Sequence, residues 1–186
     1  MTFTWRKASV TPTFTQDEIL RDNHRFCILG AGRRWGKGRL SAFKLRNKAL
    51  SCKGTYFHVS PSEQMALAAS RLFTEILGVG HLSEQYQFSI YIRNGSLIKF
   101  ITEAQLKSRS KFVGYLSAGI VIEEPWLFHD QRGLAQWVFY QLSVSNSWLL
   151  LAGIPPAKHW VKRLRLLSRV VVSRAGFNPN DLACYI

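Results

Sequence analysis

The chain has 186 residues, 47% of them apolar and 13% aromatic, enough for one domain with a buried core and too apolar for a disordered polypeptide. Its 25 Lys and Arg against 11 Asp and Glu leave a net charge of +14, which points to a polyanionic partner, most often nucleic acid; a merely solubilising surface is the competing reading. No apolar run is long enough to cross a membrane, the N-terminus lacks the layout of a signal peptide, and Cys27, Cys52 and Cys184 form neither a disulfide framework nor a zinc set, which fits a reducing cytosol.

Residues 11–25 lead into the first strand and carry Gln16. The apolar stretch 26–30 reads as a buried strand, and 36–49 as a helix rich in basic side chains. Residues 55–60 form a second strand, stopped by Pro61. Ser62 is placed to cap a helix that runs to about Leu77. Phe88, Ile90 and Ile92 alternate, Asn94-Gly95 makes a turn, and 97–101 return, so 87–102 is a hairpin. Residues 104–117, with Lys107, Arg109 and Lys111, read as exposed. An apolar strand over 119–123 follows, then a helix over 131–143 with Leu134, Trp137, Val138 and Leu142 on its buried face. Trp148–Ala152 is a further strand, broken by Gly153-Ile154-Pro155-Pro156, and 169–173 a last one. Short apolar strands alternating with helices predict a mainly parallel sheet covered on both faces, with a β-hairpin insertion. In such sheets ligands bind at the carboxyl ends of the strands.

Two segments carry chemistry. Ala31, Gly32, Arg33, Arg34, Trp35, Gly36, Lys37 and Gly38 follow the first strand and open a helix. That is the layout of a phosphate-binding loop, in which backbone N–H groups and a lysine cradle nucleotide phosphates. The competing reading is a basic helix start. The pattern G-x-x-x-x-G-K-[S/T] is met at Gly36 and Lys37. It is broken at Ala31 and at Gly38, which lacks the hydroxyl that ordinarily ligates Mg2+. Glu123 and Glu124 end the strand 119–123. A pair of acids there is what a Mg2+-dependent ATPase needs, one acid on the metal side and one on the attacking water. Two solvated acids at a strand end are the alternative. Of the six tryptophans, Trp137 and Trp148 sit in core patterns, and Trp35 is expected to pack under its loop.

These residues resemble a family. Gly32-Arg33-Arg34-Trp35-Gly36-Lys37 is similar to the phosphate loop of phage large terminase subunits, the motors that pump DNA into phage heads. Gln16 lies where that family has an adenine-reading glutamine. The stretches 59–64, 94–100 and 108–114 resemble its post-loop segment, its Asn-Gly-Ser hairpin and its basic run. Residues 120–126 resemble its acidic motif, and 151–160 its coupling motif. The match spans about residues 11–165, inside a single P-loop ATPase domain over 1–186 whose C-terminal end is a candidate truncation point.

The resemblance implies roles. Lys37 would meet the β and γ phosphates, Arg33 or Arg34 would supply a cis arginine, Glu124 would be the catalytic carboxylate and Glu123 the Mg2+ ligand. An alternative register makes Glu123 catalytic and sets Ile122 in the metal position. Gly153, Ile154 and Pro155 would couple hydrolysis to movement. The implied partners are double-stranded DNA, further copies of the chain in a ring, the portal and the small terminase subunit. The implied location is the cytoplasm of a bacterial host. Gly38, Glu123 and Ile154 each depart from the family's Ser/Thr, Asp and Thr. No acidic cluster after residue 165 supplies a nuclease. The resulting expectation is an ATP- and Mg2+-using DNA translocation motor. Its rivals are a non-hydrolysing nucleotide- and DNA-binding protein or terminase fragment, and a helicase-like ATPase.

Overall fold

The computed structural model describes residues 13–78, 80–107, 115–154 and 182–185. In chain order the elements are α1 (Phe14–Arg21), β1 (Phe26–Gly30), α2 (Lys37–Ser51), β2 (Thr55–Ser60), α3 (Glu63–Leu77) and β3 (Leu82–Tyr86). They continue with β4 (Ser89–Ile92), β5 (Leu97–Thr102), α4 (Glu103–Lys107), β6 (Ser117–Glu123), α5 (Gln131–Val144), β7 (Trp148–Gly153) and β8 (Leu182–Tyr185). A 3-10 turn, Pro125–Leu127, follows β6. The described strands form one eight-stranded sheet in the order β3-β4-β5-β2-β6-β7-β1-β8. From β5 to β8 every neighbouring pair is parallel, while β3, β4 and β5 are joined antiparallel. The sheet is the mainly parallel one expected, with the hairpin at its edge. The strand expected over 169–173 lies outside the described residues.

Period-2 alternation divides the core. Tyr56, Phe100, Val121 and Leu150 meet α1, α2 and α3 on one face. Phe57, Ile120 and Ile122 meet α4 and α5 on the other. All five residues of β1 are buried, as a central parallel strand requires. Trp137 packs edge-on against Phe57 at 5.5 Å between ring centres, and Trp148 lies against Tyr56 at 6.5 Å, so both belong to the core.

Helix α2 is tied down at its C-terminal end and at its middle. Its N-cap is Gly36, at φ 93° and without a capping side chain. At its far end Asn94 Nδ2 donates to the Ala49 carbonyl at 2.8 Å, and Ser96 Oγ to the same carbonyl at 2.9 Å. Gly95 makes that turn at φ 85°. The Asn-Gly-Ser hairpin thus caps the end of α2, satisfying a carbonyl that would otherwise lack a partner. Lys44 departs from the basic surface of this helix, because it is buried. Its Nζ donates to the carbonyls of Ile19 at 2.9 Å and Asp22 at 3.1 Å, closing the C-terminus of α1 and fastening α1 to α2.

Candidate functional site

Strands β1, β7 and β6 are neighbours and parallel, so their carboxyl ends lie side by side. The loop 31–36, Glu123-Glu124 and Gly153-Ile154 therefore converge. The first contact is in the backbone, where Ala31 N–H donates to the Gly153 carbonyl at 3.1 Å.

Lys37 folds back on its own loop. Its Nζ donates to the carbonyls of Ala31 and Gly32, both at 2.9 Å, and stands 3.9 Å from Glu124 Oε1. The ammonium thus occupies the mouth of the loop. Arg33 and Arg34 are exposed, and neither makes a hydrogen bond or ion pair among the described residues; Arg34 is left-handed at φ 60°. Trp35 is partly buried against the core on the α2 face of the sheet, and its carbonyl accepts from Gln16 Nε2 at 2.8 Å. Gln16 also caps its own helix, its Oε1 accepting from Thr13 N–H at 3.1 Å. Each end of this amide makes one bond, which fixes its orientation and leaves a second N–H and a second lone pair for a base. A Cβ at Gly36 would stand 3.2 Å from Gln16 Nε2, and its positive φ further favours glycine.

The two acids sit in different surroundings, for a reason set by the strand. Ile122 points to the α5 face and is buried in the core, away from the loop. Glu123, one residue on, points to the α2/α3 face. There a Cβ on Gly38 would stand 3.1 Å from its Oε1, and His58 Nε2 lies 3.9 Å from its Oε2. Glu123 lines a cavity of about 180 Å³ with Ala42, His58, Leu72, Phe73 and Phe100. Burial, reinforced by Glu124, pushes its carboxyl up to about 7, against the opposing pull of Lys37. Burial also pushes the His58 imidazole down to about 4. Between those values both groups are uncharged, so their 3.9 Å approach is no ion pair over that range.

Glu124 leaves the strand in a left-handed conformation, φ 47° and ψ 57°. Its N–H donates to the Ala152 carbonyl at 2.7 Å. Its Oε2 accepts from Trp126 Nε1 at 2.9 Å and from Ile154 N–H at 2.7 Å, while Oε1 faces Lys37. Gly153 is required here, because a Cβ would stand 2.3 Å from Trp126 Cζ2 and 2.7 Å from Glu124 Oε2. Trp126 and His58 have no functional reading in the sequence. Alternation along 55–60 places His58 on the same face as Tyr56, and that signal is available. The indole bond of Trp126 is not, since it depends on the turn after Glu124. Pro155, Arg109, Lys111 and the side chain of Lys107 lie outside the described residues.

The described residues include no group of three His, Cys, Asp or Glu able to cage a metal. A Mg2+ site here would take one or two carboxylates and complete its shell with water and substrate phosphates, the usual manner of that ion. Glu123 fits such a role: it is a carboxylate with no hydrogen-bond donor among the described residues, facing the gap at Gly38. No described helix is long and apolar enough to cross a membrane.

No protein-family model and no curated protein matches the chain. Solved structures do. The large terminase ATPase domain of Thermus phage P74-26 superposes with a TM-score of 0.71 at 14% identity, over 94% of this chain and 80% of that one. A variant of the same domain, with one arginine changed to alanine, superposes equally well. The large terminase of a second, thermophilic bacteriophage gives a TM-score of 0.67 at 14% identity, over 94% of this chain and 45% of that one. The chain has the fold of the phage large terminase ATPase domain.

Proposed function

We propose that this domain, one unit over its whole length, binds ATP in the loop between β1 and α2, hydrolyses it, and uses the cycle to move double-stranded DNA. One observation carries the reading. At the ends of three adjacent strands, Lys37 faces Glu124 Oε1, and Glu124 Oε2 holds the backbone N–H of Ile154. These contacts support a reading in which Lys37 meets phosphate, Glu124 is the catalytic acid and the segment at Ile154 couples the two to movement.

In this reading the γ phosphate takes the place of the loop carbonyls on Lys37 Nζ and meets the free N–H groups at the start of α2. Glu124 Oε1 accepts a hydrogen bond from the attacking water. The water oxygen bonds to the γ-phosphorus as the bond from that phosphorus to the bridging oxygen breaks; the water's proton passes by way of Glu124 to the released phosphate, and ADP and phosphate leave. Arg33 or Arg34, exposed beside the loop, stabilises the developing charge. Mg2+ would offset charge on the phosphates, and Glu123 is the residue that would hold it in this reading. Ile122 is buried on the wrong face for a metal position, which supports Glu124 over Glu123 as the catalytic acid. The excess of basic residues supports sequence-independent contact with DNA phosphates. A ring of copies, a portal and small-subunit partner, and a place in the host cytoplasm come with the terminase reading.

The test is Mg2+-dependent ATP turnover, with and without double-stranded DNA, in the native chain, Lys37→Ala and Glu124→Gln. Turnover that falls roughly 100-fold or more in Glu124→Gln supports the motor. Nucleotide binding without turnover, equal in native and Glu124→Gln, supports a non-hydrolysing module instead. The missing hydroxyl at Gly38 favours that second reading.

A further inference from the structure

We propose that Gly38 and Glu123 are a single reciprocal substitution, in which the longer carboxylate stands where the helix ordinarily offers a hydroxyl and becomes a direct ligand of the divalent cation on a bound nucleotide. The proposal rests on the ATP-site reading above. Taken separately, a glycine for Ser/Thr and a glutamate for aspartate each look like a defect. The structure puts them in contact: a Cβ on residue 38 would lie 3.1 Å from Glu123 Oε1. A side chain at 38 would therefore press the Glu123 carboxylate aside by a few tenths of an ångström.

The surroundings leave Glu123 little else to do. No described donor reaches its carboxylate, and His58 Nε2, at 3.9 Å, is beyond hydrogen-bond range. Leu72, Phe73, Ala42 and Phe100 supply apolar walls. Glu124 is committed elsewhere: its Oε2 is held by Trp126 and Ile154, and its Oε1 is turned to Lys37. Apolar walls without donors favour the neutral acid, and a cation standing beside the group is what would favour the carboxylate there. Its extra methylene carries the oxygen to the helix start. The ligand that the helix lacks is supplied by the strand.

The experiment uses the full chain and a fluorescent ATP analogue, titrated in EDTA and again with Mg2+. The readout is the factor by which Mg2+ tightens binding. In the native chain we expect about tenfold or more, equivalent to ~1.4 kcal/mol. Glu123→Asp should lose most of it by falling short, Gly38→Ala by crowding the carboxylate, and Glu123→Gln by removing the charge. The double variant Gly38→Ser with Glu123→Asp should recover it. Binding in EDTA shows that each variant is folded. Glu123→Asp or Glu123→Gln keeping the native factor would overturn the proposal, as would a double variant no better than Glu123→Asp alone. A native chain that binds the analogue but ignores Mg2+ overturns the cation assignment only. A native chain that binds it in neither condition overturns the ATP-site reading as well.

Discussion

Glu123 and Glu124 are consecutive in the chain and opposite in circumstance. Glu124 is gripped: two N–H groups hold one of its oxygens, and the other is offered to Lys37. Glu123 is enclosed: its Oε1 faces the position a side chain at Gly38 would take, its Oε2 lies 3.9 Å from a buried imidazole, and no described donor reaches it. One peptide unit separates a group held for orientation from a group kept poor in partners. Neighbouring acids whose environments diverge in this way are suited to different roles.

The contrast can be broken most severely at Gly153. Gly153→Ala drives a methyl into Trp126 and Glu124. We expect a loss of about 2–3 kcal/mol in urea unfolding, the scale of an overpacked core, together with loss of turnover. Ile28→Val within β1 should cost only about 1 kcal/mol and spare turnover.

Acid titration sharpens the contrast on the Glu123 side. The folded His58 pKa of about 4 lies below its ordinary 6.5, so the unfolded chain binds more protons between those values and His58 destabilises the fold as pH falls from 6.5 to 4. The folded Glu123 pKa of about 7 lies above its ordinary 4.5, so the folded chain binds more protons and stability rises as pH falls from 7 to 4.5. The two contributions oppose each other over most of that window. Unfolding midpoints of Glu123→Gln should fall with acid more steeply than native. Those of His58→Phe should fall less steeply, or rise. Parallel curves for all three would refute this account.

On the Glu124 side, Trp126→Phe keeps an aromatic ring and removes one charge-assisted bond. Turnover should drop about tenfold, with nucleotide binding unchanged. The smallest effect is expected at Gln16→Leu, which cuts the link to Trp35. A cost of about 1 kcal/mol in stability and a modest weakening of nucleotide binding would be read by thermal melts and by titration.

Much of the fold is legible because burial imposes period. Five apolar or small residues in a row at 26–30 make a central strand, and Ser62 caps α3, its Oγ accepting from Met65 N–H at 3.3 Å. Helix α1 escapes a reading by period. Its identity lies in the capping box between Thr13 and Gln16, where Gln16 reads from sequence only as a base-recognition residue. Strand β3 escapes as well, because four of its five residues are exposed and no apolar alternation marks it. At the site, loop and acids are legible as motifs. Their partners are not: Trp126, His58 and the crowding of Gly38 by Glu123 depend on which strand faces belong together, and that order is set only when the sheet closes.

The link between Ile154 and Glu124 has a consequence for how such a site can diverge. The bond comes from the main chain, so it is indifferent to the side chain carried at 154. An isoleucine there leaves the contact intact, and so would a threonine or a valine. Proline alone lacks the donor. A joint written in the backbone is hidden from substitution, and a sequence can drift far at that position while the wire between acid and segment stays connected.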